Sequence, residues 1–135
     1  MRNTKLLLLV PAMLGATLLP GCQTWGPTWS ELTGQRYNMT IVNRRPAFID
    51  RVDNQGAFVD PNLVRVAPGE RRIVLQAIAP GWPGGPRLEV MNLMVEPCKR
   101  YYLNAQFENT ISPNWTPVVD FVEPIAGCTV TVPAK

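Results

Sequence analysis

Fourteen prolines run through the 135 residues of this chain, and they constrain its fold more than any other feature. Each fixes φ and removes a backbone donor, so it breaks a helix interior and is confined in sheets to edges, strand starts and bulges. No segment between them carries an amphipathic helical period. They separate short runs in which apolar and polar residues alternate, the period of a half-buried strand. Residues 37–42 alternate Tyr37, Met39 and Ile41 with Asn38, Thr40 and Val42. Residues 47–52 form a second candidate, closed by the turn cluster Asp53-Asn54-Gln55-Gly56, and Phe58 and Val59 supply a short rung. Leu63, Val64 and Val66 lead into Pro68-Gly69, after which 72–78 reads as a strand. Residues 79–86, APGWPGGP, hold three prolines and three glycines and form a loop. In 88–95, apolar residues at 88, 90, 91, 93, 94 and 95 predict a change of face, as at a bulge. Residues 99–107 set Tyr101, Leu103, Ala105 and Phe107 on one side, and 118–122 and 129–132 complete the set. Seven or eight short strands with turns between them predict an all-β fold, a small antiparallel β-sandwich.

The amino terminus has a different character. Arg2 and Lys5 flank the start of an apolar stretch of 14 residues, Leu6 to Leu19. A membrane-spanning helix needs about 20 such residues, and Pro11 interrupts this one. A charged start before a short apolar core is the pattern of a signal peptide, so residues 1–21 are set apart from the fold. The stretch ends in Leu19-Pro20-Gly21-Cys22, which resembles the lipobox of bacterial lipoproteins: an aliphatic residue at minus three, Gly at minus one and Cys at plus one. The resemblance implies that Cys22 is a lipid attachment site, its thiol carrying a diacylglycerol and its new amino terminus a further chain such as palmitate. Each buried methylene contributes about 0.8 kcal/mol, so two or more chains hold firmly. In the lipoproteins it resembles, a residue other than Asp after the cysteine goes with transport to the outer membrane. Gln23 stands there, and the expected location is the outer membrane, facing the periplasm. The competing reading is a plain secretory signal with an incidental cysteine.

Setting Cys22 aside leaves Cys98 and Cys128, an even pair in an oxidising compartment, where a disulfide is expected. Such a bond stabilises by on the order of 3.5 kcal/mol. The alternative, a metal site, lacks any His or neighbouring Cys to complete it. Losing Arg2 and Lys5 with the signal turns the formal +3 into 11 basic against 10 acidic side chains, so nothing basic remains to suggest nucleic acid. Residues 22–35, with Gly26, Pro27 and Gly34, read as a lipid-anchored tether, and 36–135 as one β-sandwich domain. Trp25 and Trp29 in that tether are expected to rest at the headgroup level or to dock on the domain, in preference to a specific partner site.

The segments NRRPAFIDRVDNQG, LVRVAPGERRIVLQA and LEVMNLMVEPCKRYYLNAQF follow one another with a Gly-rich turn before the last. Pro46, Pro68-Gly69, Ile73-Val74-Leu75 and Gly81-Trp82 punctuate them. Over residues 38–108 this order is similar to the PEGA domains and carboxypeptidase-regulatory-like sandwiches of bacterial envelope proteins. The resemblance implies a β-sandwich that binds or spaces and carries no catalytic residues.

An inventory of reactive groups agrees. The chain has no His, two serines (Ser30 and Ser112) and three lysines (Lys5, Lys99 and Lys135). It holds no Gly-rich phosphate loop and no metal-spaced carboxylate cluster. Asp50, Asp53 and Asn54 suggest a solvated turn ahead of a calcium site. No enzyme, cofactor or metal is therefore expected. The candidate binding surface is Trp82 in APGWPGGP and Trp115 in ISPNWTP, each an aromatic in a Pro-bounded turn, a form suited to interface hot spots or sugar stacking. The reading preferred to this one is that each indole caps the core. Arg44-Arg45 and Arg71-Arg72 read as solvated strand ends, and Tyr101-Tyr102 puts one ring on each face. The expected function is that of a non-catalytic envelope lipoprotein whose sandwich binds another envelope protein or supports assembly. The alternative is a glycan or peptidoglycan binder.

Overall fold

The alternation of Tyr101, Leu103, Ala105 and Phe107 builds the strand around which the others are arranged. In the computed structural model, which describes residues 28–130 apart from Ala57, Val59, Pro61 and Pro80, all four side chains are buried. The signal peptide, Cys22, Trp25, Val59 and positions 131 and 132 of the last expected strand lie outside the described residues. Eight strands form: β1 (Ser30–Thr33), β2 (Arg44–Pro46), β3 (Phe48–Val52), β4 (Val64–Val66), β5 (Gly69–Ala77), β6 (Arg87–Val95), β7 (Lys99–Phe107) and β8 (Trp115–Pro124). They make two sheets and no helix among the described residues, the expected all-β class.

In the larger sheet β8 pairs with one side of β7, while β1 and β2 lie end to end along its other side, and β4 pairs with β1. The smaller sheet has the order β3-β5-β6. Every ladder is antiparallel except β1 with β7, where Glu31, Leu32 and Thr33 run beside Arg100, Tyr101 and Tyr102. Leu32 and Leu103 from one sheet meet Ile73 and Leu75 from the other, all four fully buried. Burying one such side chain contributes about 1.5–3 kcal/mol.

Several expectations are corrected. The segment 22–35 is not all tether, because Ser30–Thr33 is a buried strand between β4 and β7. Its charge at Glu31 is compensated by Arg100, whose Nε lies 2.8 Å from the carboxylate, and by Arg65 at 3.8 Å. Gly34 then crosses so close to the backbone of Ala47 that a Cβ would sit 1.6 Å from its carbonyl oxygen. Residues 37–42 form turns, not a strand. The Asn38 side chain accepts from the Thr40 N–H (3.0 Å) and hydroxyl (2.6 Å), a local alternative to the ladder. Finally, 88–95 contains no bulge: β6 stays in register with β5 over its full length. Its apolar residues simply occupy both faces, and Leu88, Val90 and Met94 remain exposed. Thr129 and Val130 are not in a strand.

The connections define two ends. At the proximal end the chain arrives through Trp29, whose carbonyl accepts from the Cys98 N–H at 2.9 Å. The β6–β7 turn lies there, and Cys98 and Cys128 are joined by a disulfide with Cα atoms 5.5 Å apart. At the distal end, about 30 Å away for a nine-residue strand at 3.3 Å per residue, lie the β5–β6 and β7–β8 loops. Arg87 Nη1 donates to Asn114 Oδ1 (3.2 Å) and ties those two loops together.

Candidate interaction surface

The two tryptophans nominated from the sequence separate at the distal end. Trp115 opens β8 and turns inward, 5% exposed, with its ring 6.3 Å from that of Phe107. It floors the core. Its Nε1 finds no acceptor among the protein atoms, so the indole serves packing, and Trp115 is withdrawn from the binding surface. Trp82 is 43% exposed in the β5–β6 loop. Its ring lies over Gly84, where a Cβ would come within 2.4 Å of Nε1. That glycine, with positive φ at Gly81 and Gly85, lets the loop fold beneath the indole and hold it at the surface.

Trp82 has apolar company at this end. Ile78 follows β5 directly and is exposed, and Ile111, in the β7–β8 loop, is 85% exposed. Val42, 76% exposed, belongs to the turn before β2. That turn is held at the end of β7 by Phe107 N–H donating to Asn43 O (3.0 Å) and Gln106 Nε2 to Val42 O (2.9 Å). Sequence reasoning missed all three: Val42 and Ile78 end the segments 37–42 and 72–78 read as strands, and Ile111 is an isolated apolar residue in a loop, which carries no period.

Toward the proximal end the buried polar side chains are satisfied internally, although Met94 and Val122 are also exposed there. On the outer face of the larger sheet, Glu31 receives Arg100, which also reaches Glu123 at 3.0 Å. The Tyr102 hydroxyl donates to Glu123 (2.6 Å), and this bond, with Arg100, holds the Glu123 carboxyl below the usual carboxylate range. Glu31 chiefly raises the affinity of Arg100 for its proton. The guanidinium of Arg36 sits 5.7 Å from the ring centres of Tyr102 and Phe121. Tyr101 points the other way, into the core, where its hydroxyl accepts from the Glu96 N–H at 2.8 Å.

The arginine pairs divide in the same manner. Arg44 is bound to Asp120 and Gln106, and Arg71 to Asp53 and the carbonyls of Ala67 and Pro68. Asp53 is thereby held below its ordinary pKa, first by Arg71 and then by the Arg72 N–H. Asp50 faces Arg51. The 53–54 segment is the solvated turn expected in preference to a calcium site, with Asp53 and Asn54 exposed and at positive φ and Val52 and Gln55 bonded to each other. Among the described residues no three His, Cys, Asp or Glu side chains are placed to hold a metal. Ser30 donates to Glu96 O inside the fold, while Ser112 lies in a loop with no base beside it except Glu108 Oε2 at 3.5 Å.

A cavity of about 550 Å³ lies beside the connection from β3 to β4, with Val52, Leu63, Val64 and Val66 among its walls. On its rim Arg71 is paired with Asp53 and Arg65 with Glu31 and the face of Trp29, while Asp60 accepts the Asn62 N–H. The cavity thus offers mainly apolar volume, with Asp60 as the rim charge that meets no opposite charge among the described residues. Trp29 packs against the domain through that contact with Arg65, the docked alternative foreseen for the tether aromatics. No protein family, curated protein or solved structure matches this chain.

Proposed function

We propose that this chain is a non-catalytic lipoprotein of the bacterial cell envelope, anchored through Cys22 in the outer membrane, whose β-sandwich presents its distal loops to another envelope protein. One observation carries the reading: Ile111, Val42, Ile78 and Trp82 are exposed together at the end opposite the arriving chain. Large apolar side chains gathered on one part of a surface mark interaction sites, and an aromatic held by its own turn is a preorganised anchor. A tether joined at the proximal end points these loops away from the membrane that holds it.

The anchor is tested by the intact mass of protein from membranes, which should exceed the chain from Cys22 by its acyl groups. The partner is tested by crosslinking in cells. A discrete envelope protein should co-purify with the wild type and be lost from Ile111→Asp. Recovery of lipid-processing machinery alone would sink the reading. A second reading, glycan stacking, retains Trp82 as its platform. It predicts that cell-wall fragments quench tryptophan fluorescence and that Trp82→Ala abolishes the response.

A further inference from the structure

The sheet edges of this molecule are not alike. Strands β2 and β4 have three residues each, and β2 ends in Pro46. β3 has five residues and an irregular register between Ile49 and Arg51. β8 carries Pro117, Pro124 and a register shift opposite Tyr102 and Leu103. These are the devices that keep an open edge from pairing with another chain. β6 has none of its neighbours' interruptions: nine residues, no proline, unbroken register with β5, and no strand on its outer side among the described residues.

Its side chains are also unlike those of a solvated edge. Leu88, Val90 and Met94 point outward and are exposed, Met94 by 65%. Met91 and Leu93 point inward and are only half-buried. β8 flanks β6 across the sandwich, and Val119 and Val122, opposite the core residues Leu103 and Tyr101, remain exposed there. Among the described residues, the outward row, the inward row and the flank of β8 all lack cover where one more strand would supply it.

We infer that β6 is a strand-addition edge whose occupant is a second copy of this chain, paired antiparallel about a two-fold axis through Asn92. The sequence of β6 is complementary to itself in that register. Val90 falls opposite Met94 on the outer row and Met91 opposite Leu93 on the inner, each pair occurring twice, and Asn92 meets its counterpart at the centre. The core-facing charge, Glu89, falls opposite Val95 at the perimeter, and Arg87 lies beyond the overlap. Val90, Met91, Leu93 and Met94 thus meet apolar partners and amide meets amide, Glu89 against Val95 is the charged–apolar pairing of the overlap, and no like charges face each other. The result is a six-stranded sheet across two molecules. This interface is separate from the distal loops and stands or falls without them.

The test uses residues 22–135 exported behind an ordinary cleavable signal, with Cys22→Ser. Sedimentation should show a concentration-dependent dimer. Val90→Lys should raise its dissociation constant roughly tenfold or more, as should Met94→Lys. Both positions are surface-exposed, so circular dichroism and melting should stay those of the parent. Asn92→Cys should trap the dimer as a disulfide, since the two Cα atoms would lie about 4.5–5.5 Å apart. Arg72→Cys, opposite Asn92 on β5, should not, its counterpart being roughly 14 Å away across three strand spacings. A chain that stays monomeric at every concentration overturns the inference, including one whose β6 edge amides are protected by its own C-terminal residues. So does a dimer indifferent to Val90→Lys, or one trapped equally from position 72.

Discussion

The two ends of this sandwich are built on opposite terms. At the proximal end the buried polar side chains have partners inside the molecule, Glu31 with Arg100, Tyr102 with Glu123 and Ser30 with Glu96 O, and a disulfide joins Cys98 and Cys128. At the distal end the core is sealed by Trp115, and above it Trp82, Ile78, Ile111 and Val42 face water. Satisfied polar networks rigidify a structure, whereas exposed apolar side chains contribute little to folding and remain free to bind. The end that holds the fold is thus distinct from the end proposed to interact. Substitutions at the first end should unfold the protein, and those at the second should leave it folded and silent.

Gly34→Ala should have the largest effect. A Cβ 1.6 Å from the Ala47 carbonyl cannot be relieved by a rotamer change, because the obstacle is backbone. A loss of about 3 kcal/mol or more is expected, read as a drop in the urea midpoint or as failure to accumulate. Cys98→Ser comes next, at on the order of 3.5 kcal/mol or less once local relaxation is allowed. It should show as a lower melting temperature and as earlier proteolysis near the C-terminus.

A smaller effect should appear in acid. Asp53 and Glu123 both titrate below their ordinary values in the folded state. The stability they contribute is complete above the unfolded carboxylate range and is lost as pH falls through the lowered folded values. Urea midpoints should therefore decline between about pH 5 and about pH 2, with a shallower slope in the Asp53→Asn, Glu123→Gln double variant. A slope equal to that of the wild type would show that other carboxylates carry the effect. The distal variants should be the mildest of all: Ile111→Asp and Trp82→Ala should change stability by about 0.5 kcal/mol or less. A large loss from either would mean that the distal loops hold the fold together, and the contrast between the ends would fail.

Much of the architecture was legible in the sequence because β-strands announce themselves by period. The strand 99–107 matches β7 from Lys99 to Phe107, and the disulfide follows from counting cysteines. β1 was not legible. It is four residues long with Leu32 as its one large apolar side chain, and its central Glu31 argues for solvent. What makes the strand possible is Arg100, 69 residues away, and no local pattern reports such a partner. The 37–42 segment failed for the reverse reason. Its alternation is real, but Asn38 closes a turn on Thr40 before a ladder can form. In the proposed binding surface, Trp82 is legible because an aromatic in a Pro-Gly turn is conspicuous. Trp115 looked equivalent, and only its position as the first rung opposite Phe107 turns it inward.

The contrast between the ends is tested most directly by placing a photo-crosslinking side chain at Ile111, at Trp82 and at Glu96, an exposed position of the proximal turn, in living cells. The account predicts one discrete protein adduct from positions 111 and 82 and none of that mass from 96. Adducts from 96 alone, or the same products from all three, would contradict it, placing the working surface at the end that holds the fold or nowhere in particular.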